Sequence, residues 1–229
     1  DAEGEAVETI TTDALSGSRL VTTVRLPGGN MRVIVWGISS DGQTVTRLAD
    51  RDAAAVDEVS MTRLSSTRFA TAARTQDGTL RVIVWEVSND GTSIALLSHA
   101  FAGTASSVSV SALSASRLVT SLRDGAGGLK CIAWDILDDA AATLDGKGDA
   151  AGKSVSKVVS VRASSTEFVT AAQTEAGTLE ATRWSVSEDG MTLKQEASGT
   201  GGEIQDVALA VAWDEAVMTA VVTGSGDYK

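Results

Sequence analysis

Apolar residues along this chain fall in short runs, not on a helical stripe. Four runs end in tryptophan: Met31-Arg32-Val33-Ile34-Val35-Trp36, Leu80 to Trp85, Leu129 to Trp134, and Leu179 to Trp184. Stretches such as Val33-Ile34-Val35 are apolar on both faces, which suits strands sandwiched between neighbouring sheets. Upstream of each lies a second run: Arg19 to Arg25, Arg68 to Arg74, Arg117 to Arg123, and Glu167 to Gln173. One threonine keeps its slot throughout, at Thr22, Thr71, Thr120, Thr170 and Thr219. Turn residues punctuate the runs. In the second repeat they predict strands over Val56–Leu64, Arg68–Arg74, Leu80–Val87 and Ser93–Ser98, separated by Ser65-Ser66-Thr67, Gln76-Asp77-Gly78 and Asn89-Asp90-Gly91. Asp41-Gly42 and Asp189-Gly190 repeat the last turn, with glycine supplying positive φ. Asp139-Ala140 stands there in the third repeat and predicts a different turn type.

The four tryptophans are spaced 49, 49 and 50 residues apart. Four short strands per period of that length, with no helical stretch, predict an all-β fold, a β-propeller of four-stranded blades. A β-sandwich would not need four near-identical repeats, and parallel β-helix coils are usually shorter. The expectation is one domain over 1–229, with blades at about 7–53, 54–102, 103–152, 153–201 and 202–229. The fifth is partial. It begins near Ile204, places a strand at Ala216–Val222, matches Gly226 and Tyr228 to Gly78 and Leu80, and stops at Lys229 where its third strand is due. Three readings stand: the sequence is cut from a longer chain, a second copy or partner chain supplies the missing strands at an open edge, or the blade is simply short with its edge exposed. Trp213 lies out of register, in a turn, as an exposed contact residue or a plug over the incomplete blade.

Composition narrows the functional classes. The 229 residues carry 19 Lys+Arg against 30 Asp+Glu, a net charge of -11, which argues against nucleic acid and anionic membrane surfaces as partners. There is no run of 18 apolar residues, hence no expected transmembrane helix or membrane insertion. A single cysteine, Cys131, excludes an intrachain disulfide and multi-cysteine metal sites, and a single histidine, His99, excludes any site needing two imidazoles. No phosphate-binding or dinucleotide fingerprint and no D-x-D-x-D-G spacing occurs, so no cofactor and no metal is expected. The start at Asp1, with no basic and apolar leader, fits a processed or excerpted protein, and an extracellular or cell-surface location is expected.

Candidate chemistry follows from the repeat. The end of the second strand and the start of the third emerge on one face, which puts Arg25 near Arg32, Arg74 near Arg81, and Arg123 near Lys130. Paired cations of this kind hold carboxylates, sulfates or acidic sugars by bidentate contacts. The competing reading is structural: Glu8, Asp57 and Glu58 start on the same face and can neutralise them as repeated salt bridges. The repeated tryptophans likewise read either as sugar-stacking platforms or as core between blades, with an indole N–H that needs a partner. A carboxylate-only glycosidase would draw on Glu8, Asp57 and Asp206. Asp50, Asp52, Asp138, Asp139 and Asp145 are placed in turns and connections, and His99 stands alone near a strand end.

In repeat length and strand pattern the whole chain resembles bacterial β-propeller repeat proteins of WD40-like and lectin-like organisation, including five-bladed lectins of the tachylectin-2 type. It departs from their motifs. Trp134-Asp135 and Trp213-Asp214 are isolated, and the sialidase box Ser-x-Asp-x-Gly-x-x-Trp is absent because here Trp precedes Ser-x-Asp-Gly. Fold resemblance alone carries no function; the residues themselves lead to the expectation of a non-catalytic binding module, lectin-like, taking glycans or acidic small ligands at Arg25, Arg32, Arg74, Arg81, Arg123, Lys130 and Trp213. Repetition would give several weak sites that act by avidity. The opposing class is a structural or protein-interaction propeller, part of a larger surface protein or assembly.

Overall fold

Strand formation follows from the β-branched and aromatic runs, each closed by a glycine or an Asx turn. The computed structural model describes residues 6–211 and 217–223. In the first repeat the strands are β1 (Thr9–Ser16), β2 (Arg19–Arg25), β3 (Asn30–Ile38) and the start of β4 (Val45–Arg63). The second adds β5 (Arg68–Thr75), β6 (Thr79–Val87) and β7 (Ile94–Ser114). The third and fourth hold β8 (Arg117–Asp124), β9 (Gly128–Ile136), β10 (Leu144–Arg162), β11 (Glu167–Thr174), β12 (Thr178–Val186) and β13 (Leu193–Glu203). The last strands among the described residues, β14 (Asp206–Val211) and β15 (Val217–Val222), form a two-stranded sheet with each other. No helix occurs among the described residues.

The connection between repeats differs from the sequence expectation. It is not a loop but the middle of a long strand. β4 pairs with β3 along Val45–Ala55 and then with β5 along Val56–Arg63, so it closes one four-stranded array and opens the next. β7 and β10 are continuous in the same way. Asp50, Asp52 and Asp145 therefore lie in strands, not in turns, whereas Asp138 and Asp139 do sit in the loop. Antiparallel order runs linearly from β1 to β13, and no pairing among the described residues closes it into a ring.

Two compact bodies result, Asp1–Ala102 with Asp138–Leu144, and Gly103–Leu137 with Asp145–Lys229. The first packs Val21, Met31, Val33, Val35, Phe69, Ile83 and Trp85 into its core. The second packs Leu113, Val119, Cys131, Phe168 and Trp184, and a smaller cluster of Ala171, Ile204 and Val207 anchors β14.

Within each body, consecutive repeats are clamped identically. Val56 N–H donates to Gly29 O at 2.8 Å, Val155 N–H to Gly127 O at 2.9 Å, and Ile204 N–H to Gly177 O at 2.8 Å. The carbonyl of the same residue is taken by a side chain of the preceding repeat: Arg25 Nε to Val56 O at 2.7 Å, Arg123 Nε to Val155 O at 2.7 Å, and Gln173 Nε2 to Ile204 O at 2.5 Å. At the opposite strand end, Arg19 Nη2 reaches Asn89 O at 2.9 Å and Arg117 Nη1 reaches Glu188 O at 2.9 Å. Buried backbone groups left unpaired are costly, so these contacts fix how successive arrays meet.

The third repeat's turn also departs from expectation. Ala142 N–H donates to Asp139 O, matching Gly42 to Ser39, Gly91 to Ser88 and Gly190 to Ser187. Ala142 accepts the left-handed backbone, φ 47°, that glycine adopts in the other three. The turn is the same; only its residue is unusual.

Candidate functional site

The fixed tryptophan and the fixed threonine are two ends of one hydrogen bond. Indole Nε1 of Trp36, Trp85, Trp134 and Trp184 donates to Oγ1 of Thr22, Thr71, Thr120 and Thr170 at 3.0, 2.9, 3.0 and 2.9 Å. Trp85, Trp134 and Trp184 are buried. Phe69 and Phe168 stack on Trp85 and Trp184, both at 6.1 Å between centroids. These four tryptophans are thus spent on packing, and Trp184 also borders an open space.

The register separates the predicted cation pairs. Arg32 stands opposite Val24 and Arg25 opposite Met31, so the two arginines point to opposite faces of the sheet. The same holds for Arg74 and Arg81, and for Arg123 and Lys130. In one set, Arg25 and Arg123 serve the clamps and also pair with Glu8 and, at 3.2 Å, with Glu175, while Arg74 pairs with Asp57 at 3.1 Å. In the other set, Arg32 forks onto Asp52 at 2.5 and 3.1 Å, and Lys130 meets Asp149 at 3.1 Å. The Arg32 hydrogen bond holds the Asp52 carboxyl below its usual range. Trp213 lies outside the described residues.

The proposed catalytic carboxylates are also engaged. Glu8 and Asp57 sit in those ion pairs, and Asp206 is held below its usual pKa by Lys157. Burial pushes the Cys131 thiol up to about 12, which leaves it without nucleophilic character at neutral pH. Among the described residues no cluster of three or more His, Cys, Asp or Glu side chains is placed to hold a metal ion.

An open space does exist where the sequence departs from its own repeat. A cleft of about 250 Å³ in the second body is lined by Leu129, Gly152, Val155, Thr170, Ala172, Thr182 and Trp184, with Lys153, Glu180 and Gln195 as its charged and amide groups. The register explains it. Trp184 faces Phe168, Thr182 faces Thr170, and Glu180 faces Ala172, all on one side of the β11–β12 pair. Earlier repeats carry Ile34, Ile83 or Ile132 at the Thr182 position and Arg32, Arg81 or Lys130 at the Glu180 position. Loss of the isoleucine bulk opens the floor, and the acid reverses the charge. The Glu180 side chain is only 10% exposed, and Lys153 Nζ caps it at 2.9 Å from the exposed rim. The signal in the sequence is Glu180 itself, an acid where the first three repeats carry a cation. Thr182, Lys153 and Gln195 gave no signal by residue type.

No protein family and no curated protein matches the chain. Solved structures do. A SapL1 lectin in complex with alpha methyl fucoside aligns with a TM-score of 0.59 at 12% identity, covering 93% of this chain and 71% of the lectin. A mutant of NanB sialidase from Streptococcus pneumoniae aligns with a TM-score of 0.56 at 10% identity, covering 84% of this chain and 32% of the sialidase. At such identities the likeness is one of fold. The chain is all-β and similar to the β-propeller-like folds of a lectin and a sialidase.

The cleft is a single carboxylate among hydroxyls, one amine, one amide and an aromatic wall. Such a set exchanges hydrogen bonds with a polyhydroxylated ring. Among the described residues that line the cleft, the carboxylate is Glu180.

Proposed function

We propose that this chain is a non-catalytic, lectin-like carbohydrate-binding module. Its repeats are blades of a five-bladed propeller. The observation that carries the reading is the polar cleft of the second body. Its volume of about 250 Å³ lies just below the range of pockets for drug-sized molecules, roughly 300–1,000 Å³, and suits one sugar ring. Glu180, ion-paired with Lys153, accepts from vicinal hydroxyls, Gln195 and Thr182 add further polar contacts, and Trp184 closes the apolar end of the cleft. The fold likeness to a lectin bound to a fucoside supports the same reading.

Thr182→Ile tests it, because isoleucine is what the first three repeats hold there. The variant fills the cleft without a foreign residue. Titration calorimetry against a panel of neutral monosaccharides and their methyl glycosides should show weak binding by the wild type and none by Thr182→Ile. Wild-type protein that binds no sugar, or a variant that binds as well, sinks the proposal. Release of an aryl leaving group from a glycoside, abolished by Glu180→Gln, would instead make the cleft an active site.

A further inference from the structure

Arg81 differs from its equivalents. Arg32, four residues before Trp36, forks onto Asp52, twenty residues further on. Lys130, four residues before Trp134, pairs with Asp149 on the following strand. Arg81 stands four residues before Trp85, and twenty residues on from it the chain has Phe101. Among the described residues no carboxylate meets this guanidinium. Its carbon lies 5.4 Å from the Phe101 ring centroid, and its Nε is buried without a hydrogen-bond partner. Burial alone lowers its pKa from the ordinary arginine value. Phe101 is 57% exposed, and the His99 ring meets it edge-on at 5.5 Å. An unpaired half-buried arginine beside an exposed aromatic ring is an unusual surface feature, since buried donors are nearly always satisfied.

We propose that Arg81, Phe101 and His99 form a second binding site, in the first body, for the carboxylate of an acidic saccharide. The ligand's carboxylate takes the place that Asp52 holds against Arg32, two N–H donors meeting two oxygens. Phe101, more than half in solvent, turns aside to uncover Nε and then offers its ring to the apolar face of the pyranose. The saccharide part rests on the carbohydrate-binding reading above, whereas the carboxylate part rests on Arg81 alone.

The test compares a uronic-acid oligosaccharide with its neutral methyl ester by titration calorimetry on the whole chain. The free acid should bind about tenfold or more tighter than the ester, the usual loss for one charge-assisted contact. Arg81→Gln should remove that preference. Phe101→Asp restores the acid that the first repeat has at Asp52, so it should fold at least as stably as wild type and yet lose acid binding. Thr182→Ile should leave acid binding intact. Equal affinity for acid and ester, no binding of the acid, or full affinity in Phe101→Asp overturns the proposal. Acid binding lost in Thr182→Ile but kept in Phe101→Asp assigns it to the second-body cleft and also overturns it. Acid binding that persists while neutral sugars fail to bind supports this site and refutes the cleft reading.

Discussion

The seam between repeats one and two in the first body, and that between repeats three and four in the second, are built from the same parts with different fillings. Both have the valine N–H to glycine carbonyl bond, the arginine to valine carbonyl bond, and an arginine on the next turn. Inside, Ile83 and Leu96 occupy the first seam where Thr182 and Gln195 border the second. Ala53 corresponds to Gly152, and Arg81 to Glu180. One seam is a packed apolar core and the other holds a polar cleft. Because backbone groups and arginine forks hold the arrays together, side chains inside a seam are free to change. A repeat scaffold thus separates the residues that join repeats from those that can acquire a ligand.

The largest expected effect comes from the tryptophans, whose surroundings differ only through the filling. Trp85 is fully buried, stacked on Phe69 and covered by Arg51, whose guanidinium carbon lies 6.0 Å from the ring centroid. Trp85→Ala should destabilise by about 3–5 kcal/mol, the usual range for emptying a large aromatic site. Trp184→Ala should cost less, because its environment already contains space and fewer contacts are lost. Denaturant melts of both variants decide this. Equal losses would mean that the cleft does not loosen the packing around Trp184.

The repeat, its strands and its turn glycines were legible because each rests on local chemistry: β-branched runs, Asx turns, a threonine locked to a tryptophan by one hydrogen bond. Register was less legible. Arg25 and Arg32 look adjacent when the strands are written side by side, yet a one-residue offset sends them to opposite faces. The cleft was least legible, since it arises from an ethyl arm replaced by a hydroxyl at Thr182 and a missing methyl at Gly152, and absences carry no motif. The connection between repeats is not legible because Asp50, Asp52 and Asp145 look like turn residues, whereas Asp52 is a cross-strand partner of Arg32.

A smaller effect, of opposite sign, is expected when the fillings are made alike. Thr182→Ile removes a hydroxyl from a half-empty seam and adds apolar volume. It should raise stability by about 1 kcal/mol, typical of cavity filling. The reverse change, Ile83→Thr in the first body, should lower stability and open a cleft there. A melting temperature that falls in Thr182→Ile would show that the second seam is closed by something other than side-chain volume.

The smallest effect should be common to both bodies, because it belongs to the turns and not to the seams. Asp90 accepts from the Ser88 hydroxyl at 2.6 Å, the Thr92 N–H at 3.0 Å and the Thr92 hydroxyl at 2.8 Å, and these bonds lower its pKa to about 2. Asp189 accepts from the Ser187 hydroxyl and the Met191 N–H, and is lowered for the same reason. An unfolded aspartate titrates near 3.9. The folded pKa lies below that value, so the ionised turn stabilises the fold above about pH 4 and loses that contribution as pH falls towards 2. Asp90→Asn and Asp189→Asn should therefore melt below wild type at pH 6, with the gap closing at pH 2. Asp90→Asn should show the wider gap, since Thr92 gives its carboxylate one more donor than Met191 gives Asp189. Gaps that stay constant with pH would place the contribution in turn geometry and not in the carboxylate charge.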